Sequence, residues 1–250
     1  MIATFWDVRA LDATTLEQPL LTHREGLVVA ASQMSAFGRC IRDREMIAVV
    51  PDFLEYARLL SVGQGRQLIA KAGGLKRIWH AAMRAGLSVL RQPLKAATTD
   101  FWLVAEVLLR FDLALLRDFH GAIVLHPYLT DFAAGLQREA FLRQFYQLAQ
   151  PWQYVGFWTY QFSATMSALA RLGIAPTVVI FSTAQRDVAT SQALSEAVKN
   201  TLFGRTNYLV DLEPATVTPH DNFPAWLQSL PVYGVVRAVS SLSKPTPTHP

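Results

Sequence analysis

Short apolar runs rich in β-branched and aromatic residues recur along the chain, and segments with helical spacing lie between several of them. Parallel strands that are buried on both faces have such continuous apolar sequences. Eight strands are predicted, at Leu27–Ala31, Met46–Val50, Trp102–Val107, Ala122–His126, Tyr154–Trp158, Thr177–Phe181, Tyr208–Leu212 and Val232–Val236. Apolar residues three and four positions apart predict helices at Asp131–Ala149, Ser163–Leu172, Thr190–Leu202 and His220–Leu230.

Eight parallel strands close a (β/α)8 TIM barrel, so this α/β fold is the first prediction and an open, doubly wound sheet is the alternative. Residues 64–94 depart from the alternation, because they form a long helical pattern that is interrupted at Gly73 and Gly74. We interpret them as a helical insertion after the second predicted strand. The predicted organisation is an N-terminal extension at 1–18, one barrel domain at 19–241 and a disordered tail at 242–250.

Composition narrows the class of protein. Half of the 250 residues (51%) are hydrophobic and 17% are charged, which excludes a disordered chain. Cys40 is the only cysteine, so a disulfide framework and a cysteine zinc cage are excluded and a reducing, cytoplasmic compartment is predicted. The longest uncharged run, Gln144–Ala170, contains Pro151 and five glutamines, so no transmembrane segment is expected.

The positive charge is concentrated in the predicted insertion. Eight basic residues and no acidic residue lie between Glu55 and Asp100. Arg77, Arg84 and Arg91 are seven positions apart and therefore share one side of a helix. This face is a candidate surface for an anionic partner, and a solvated face paired with acids elsewhere is the favoured alternative. Nucleic acid is not expected, because no nucleic-acid-binding motif is visible.

Seven stretches follow one another along the chain: LLTHREGLVVAASQMSAFG, GRQLIAKA, DFWLVAEV, GAIVLHPYLTD, WQYVGFWTYQFSATMSALARLGIAPTVVIFSTAQRD, NYLVDLEPA and WLQSLPVYGVVRAVSS. In this order they resemble the aldo-keto reductases, which are nicotinamide-dependent barrel enzymes. The resemblance runs from about Pro19 to Ser241 and implies a reductase of a small carbonyl compound that uses NADP or NAD.

The resemblance also implies catalytic positions. His126 falls on the histidine that orients the carbonyl, and Asp52 and Tyr56 lie after the second predicted strand, where the family has its aspartate and proton-donating tyrosine. Glu106 takes the place of the lysine that lowers the tyrosine pKa. A carboxylate there would raise that pKa and work against acid catalysis.

The cofactor positions implied by the resemblance depart further from the family. Trp158 and Thr159 replace the pair that holds the nicotinamide carboxamide, and Thr183 replaces the stacking tyrosine. Glu213 lies where the pyrophosphate clamp begins, and its charge would oppose a dinucleotide. Arg237, at the end of the last predicted strand, completes the predicted cofactor-binding set.

Two hypotheses remain open. The first is a reductase with a degenerate site, in which Tyr56 and His126 converge beside a pocket for a dinucleotide and His126 with Glu106 could form an acid/base pair. The second is a non-catalytic barrel, a pseudoenzyme, in which Trp158 or a loop fills that pocket and an anionic ligand or partner binds at the basic helix. A metal at His126, Glu106 and Asp52 lacks any motif with metal-ligand spacing, and no metal is predicted.

Overall fold

The computed structural model describes residues 3–9, 26–33, 45–52, 56, 79, 83, 86, 100–182, 188–212 and 232–238. Eight parallel strands form a closed barrel in chain order, and β8 pairs with β1. The strands are β1 (Ala3–Asp7), β2 (Gly26–Ala30), β3 (Met46–Val50), β4 (Ala122–Leu125), β5 (Tyr154–Thr159), β6 (Val178–Ser182), β7 (Asn207–Leu212) and β8 (Gly234–Ala238). This confirms the prediction of a (β/α)8 barrel.

The first strand lies inside the predicted N-terminal extension. Phe5 pairs with Gly26 of β2 and with Val236 of β8, so β1 closes the barrel. Phe5 lies in the barrel interior and Trp6 lies in the outer apolar layer, which is the alternation expected of a barrel strand. The first barrel strand therefore begins at Ala3, and the prediction that residues 1–18 form an extension outside the barrel is wrong for Ala3–Asp7.

The predicted strand Trp102–Val107 is also wrong, because these residues belong to helix α1 (Phe101–Leu115). The Asp100 carboxylate caps this helix by accepting hydrogen bonds from the backbone N–H groups of Trp102 (2.8 Å) and Leu103 (3.2 Å). A side-chain acceptor at this position satisfies amides that have no partner within the helix. The apolar run Trp102–Val107 therefore belongs to a helix and not to the third strand that the sequence pattern predicted.

Four further α-helices have both bounds among the described residues, and a short 3-10 helix (Ala31–Gln33) follows β2. The four α-helices are α2 (Pro127–Gly135), α3 (Glu139–Ala149), α4 (Phe162–Leu172) and α5 (Val188–Lys199). The predicted helix Asp131–Ala149 is divided between α2 and α3 at Gln137, whose φ is 54°. Gly173 caps α4 in the left-handed conformation, as a glycine does without strain. Of the predicted insertion, Trp79, Met83 and Gly86 are helical, and the rest lies outside the described residues, as do His220–Leu230 and the predicted tail.

The apolar core has two layers. One layer fills the barrel interior and consists of Phe5, Val28, Ile47, Val49, Ala122, Val124, Trp158, Val178, Ile180, Leu209 and Val236. The other lies between the strands and the surrounding helices. Because the interior is packed with side chains, a ligand site is expected at the carboxyl ends of the strands, where side chains continue the inward-facing rows.

Candidate functional site

Several inward-facing rows of the strands end in polar side chains at the carboxyl end of the barrel. Asp7 follows Phe5 on β1, His126 follows Val124 after β4, and Asp211 follows Leu209 on β7, each by two positions. His126 continues the β4 row because its N–H still donates to the Val50 carbonyl at 2.8 Å. Trp158 ends the β5 row. We call this group, together with Arg9, the mouth.

Arg9 is held in one position by three contacts. Its Nε and Nη2 donate to the two carboxylate oxygens of Asp7, at 2.9 and 2.8 Å, and its guanidinium lies 4.4 Å from the centroid of the Trp158 ring. Gln33 fixes the backbone beneath it by donating to the Arg9 carbonyl at 3.0 Å. Burial opposes the Arg9 charge, but Asp7, and with smaller effect Asp52 and Tyr160, outweigh it and raise the pKa of Arg9. Arg9 is therefore charged, neutralised by Asp7 and fixed by Trp158.

His126 is neutral in the folded protein. Its pKa is lowered from 6.5 to about 3, first by burial and then by the Arg9 charge, against which Asp7 acts weakly. The His126 Nδ1 accepts a hydrogen bond from the Tyr128 N–H at 3.4 Å, at the start of α2. In a neutral imidazole whose Nδ1 accepts, the proton is on Nε2. His126 therefore presents an N–H donor at the mouth.

Three N–H donors of the mouth have no acceptor among the described residues. The indole Nε1 of Trp158 is buried without a hydrogen-bond partner, and the side chain is only 1% exposed. Arg9 uses Nε and Nη2 for Asp7 and leaves Nη1 unpaired within the described part of the chain, and His126 leaves Nε2 unpaired in the same way. Trp158 Nε1 is a buried donor without a partner, which costs about 1 to 3 kcal/mol. The unpaired nitrogens of Arg9 and His126 are available to an oxygen acceptor, and the three donors together mark a candidate site.

In the described contacts, two of the predicted catalytic residues, Asp52 and Tyr56, lie together, and both bind Asp112. Tyr56 donates its hydroxyl hydrogen bond to Asp112 of α1, whose Oδ2 accepts from the Asp52 N–H at 3.3 Å. Within the described residues no contact joins Tyr56 to His126. Glu106 lies in α1, where its carboxylate binds Arg110 one turn later at 2.8 Å. The predicted pairing of His126 with Glu106 is therefore absent from the described contacts.

The predicted cofactor-binding residues lie on different sides of the barrel wall. Trp158 is buried in the barrel interior. Thr159 binds Asp131 and Thr165 (2.9 Å), residues of the surrounding helices α2 and α4. Arg237 follows Val236 of the interior row by one position and so belongs to the outward-facing row of β8. The remaining predicted site residues lie outside the described residues: Thr183, Glu213 and the basic-helix residues Arg77, Arg84 and Arg91.

Sequence reasoning missed Arg9 and Asp7, because β1 was not predicted. The signal was the run Ala3–Asp7, in which an aromatic residue is followed by an acid two positions later. At the mouth, Asp7 is the acid that ends the inward-facing row of β1, and Arg9 is the base two positions after it.

Searches against protein-family models, curated proteins and solved structures found no match to this chain. Among the described residues, no group of three or more histidine, cysteine, aspartate or glutamate side chains is arranged to hold a metal ion. None of the helices in the described ranges has the length and apolar character needed to cross a membrane.

Proposed function

We propose that the mouth of the barrel binds a small, uncharged carbonyl compound. The observation that carries this proposal is the set of unpaired donors on Arg9, His126 and Trp158. A carbonyl oxygen accepts two hydrogen bonds, and the free donors of Arg9 Nη1 and His126 Nε2 supply them. Because both groups are held by other residues before the ligand arrives, little ordering is needed on binding.

The charges of the mouth favour an uncharged ligand over an anion. The Arg9 charge is matched by Asp7, and Asp52 and Asp211 add two further carboxylates whose charges act on Arg9 and Tyr160. Because Asp7 already matches the Arg9 charge, the pair attracts a carboxylate or a phosphate much less than a lone guanidinium would. His126, being neutral, donates a hydrogen bond without adding charge.

Such a site polarises a carbonyl group. A neutral imidazole at a helix start can act as an electrophile toward a carbonyl oxygen without transferring its proton first. His126 has this position at the start of α2. The sequence-based prediction of a reductase that uses NADP or NAD assigns the same role to His126 and stays a prediction. Trp158 in the upper interior favours the alternative in which nicotinamide does not bind there.

A titration with matched ligands tests the proposal. Cyclohexyl methyl ketone and cyclohexanecarboxylate have similar shapes and differ in charge, and binding is measured by calorimetry and by the rise in melting temperature. We expect saturable binding of the ketone and at least tenfold weaker binding by Arg9→Met, because a hydrogen bond to a charged group contributes about 1.5 to 3 kcal/mol. His126→Ala should weaken binding by about 2-fold to 12-fold, because a hydrogen bond from a neutral group contributes about 0.5 to 1.5 kcal/mol. Arg171→Met is the control, since Arg171 makes a similar pair with Glu139 outside the barrel.

Asp7→Asn tests the charge argument. Removing the Asp7 carboxylate leaves the Arg9 charge unmatched, so the preference should shift toward cyclohexanecarboxylate. Tighter binding of the carboxylate than of the ketone by the unaltered protein, or no binding of either, contradicts the proposal. NADPH and NADH are titrated in parallel, and their saturable binding would support the reductase prediction independently.

A further inference from the structure

Two tyrosine side chains stand at the edge of the mouth with about half of their surface in water. Tyr128 is 47% exposed and Tyr160 is 48% exposed. Their ring centroids are 6.0 Å apart and their planes are tilted by 50°. Each follows a mouth residue by two positions, Tyr128 after His126 and Tyr160 after Trp158. The pair therefore lies directly beside the unpaired donors.

The two rings are held in place by their surroundings. Tyr128 is in the first turn of α2, and its ring lies 5.2 Å from the His126 ring. The Tyr160 N–H donates to the Asp131 Oδ2 at 3.0 Å, and Asp131 also accepts from the Thr159 hydroxyl. Because the backbone on both sides is fixed by hydrogen bonds, the rings offer an aromatic surface without the entropy cost of ordering flexible side chains.

Tyr160 also connects this aromatic surface to the charged part of the mouth. Burial raises the pKa of Tyr160 to about 12, and the Asp211 carboxylate and Tyr128 act in the same direction while Arg9 opposes them. The hydroxyl therefore keeps its proton, and the ring stays uncharged. Uncharged rings of this kind pack against another aromatic ring at centroid distances of about 4.5 to 7 Å.

From this juxtaposition we infer that the ligand of the mouth is an aromatic carbonyl compound, whose ring packs on Tyr128 and Tyr160 while its oxygen accepts from His126 and Arg9. This inference rests on the proposed function and names its substrate class. Tyr128 and Tyr160 determine the specificity, since they contact the ring and leave the carbonyl oxygen to the donors.

Acetophenone and cyclohexyl methyl ketone test the inference, because they share a carbon skeleton and differ in the aromaticity of the ring. The ring of acetophenone is also conjugated with its carbonyl group, and the tyrosine variants separate this effect from the ring contact. We expect the protein to bind acetophenone about tenfold more tightly, the upper end of what aromatic pairing adds beyond buried area. Tyr128→Ala and Tyr160→Ala should remove most of this preference, and Tyr160→Phe should keep it. Tyr154→Ala is the control, because Tyr154 is 40% exposed at the opposite end of β5.

The outcomes separate the two proposals. If both ketones bind equally well, or if the tyrosine variants keep the preference, the aromatic inference is overturned while the carbonyl site stands. If neither ketone binds, the proposed function fails and the inference fails with it. Loss of the preference in the two alanine variants, with Tyr154→Ala unchanged, supports both.

Discussion

Replacing Asp112 with asparagine tests how a buried carboxyl group sets the pH dependence of stability. Asp112 is fully buried in α1, and its two oxygens accept hydrogen bonds from the Tyr56 hydroxyl and the Asp52 N–H. Burial raises the pKa of Asp112 from 3.8 to about 8, and the Tyr56 hydrogen bond acts against this rise while the Asp52 charge adds to it. The folded chain therefore holds a proton on Asp112 at neutral pH.

The sign of the effect follows from proton binding. Between about pH 6.5 and pH 8, Asp112 is protonated in the folded chain and ionised in the unfolded chain, so stability falls as the pH rises. Its contribution is complete below 3.8 and is lost as the pH passes through about 8. One such group gives a slope of about 1.4 kcal/mol per pH unit, which amounts to about 2 kcal/mol over this window.

Urea unfolding followed by tryptophan fluorescence measures this slope. We compare the unaltered protein, Asp112→Asn and Asp100→Asn at several pH values from about 6.5 to about 8. Asparagine caps a helix as well as aspartate does, so Asp100→Asn is a matched control on the same helix. The unaltered protein and the control should lose about 2 kcal/mol more across the window than Asp112→Asn. Equal slopes in all three would refute the account of a protonated Asp112.

Three further outcomes are expected. Gly156→Ala should lower the free energy of unfolding by about 3 kcal/mol or more, and so lower the melting temperature, because a Cβ at this position would overlap the Val178 backbone oxygen. Gly135→Ala, with open space around the added Cβ, should change the free energy of unfolding by less than about 1 kcal/mol. Thr159→Val should cost about 1 to 3 kcal/mol in urea unfolding, since it leaves buried hydrogen-bonding groups unpaired. His126→Gln should reduce the loss of stability in acid, because the His126 contribution is present above its unfolded pKa of 6.5 and is lost as the pH falls to about 3.

The barrel was predictable wherever a strand is a continuous apolar run. β3 matches its predicted bounds, since Met46–Val50 is buried along its whole length. Residues 102–107 are apolar except for Glu106, and hydrophobicity alone cannot distinguish such a run from a buried helix. The sequence did contain the helix signals, namely Asp100 as a cap and Glu106 four residues before Arg110. Capping and spacing of charges decide such runs.

The candidate site was predictable only in part, because its members come from strands that are far apart in sequence. His126 and Trp158 end strands that were predicted, and both lie at the mouth. Arg9 and Asp7 were missed with β1, although they supply the charged pair of the mouth. Tyr56 and Glu106 were assigned by resemblance to a family, and the structure gives each a partner on or within α1. A resemblance transfers positions in sequence, whereas a site depends on which strand ends meet in space.

The position of Trp158 explains why the mouth should accept a small ligand. Its indole lies in the packed barrel interior, and the Arg9 guanidinium lies over its ring. Asp7 on one side and Trp158 beneath hold the guanidinium, and both contacts come from strands rather than loops. Sites on strands are fixed more precisely than sites on loops. In the proposed complex, the carbonyl oxygen would therefore meet donors already in place, and the attached ring would lie at the level of Tyr128 and Tyr160.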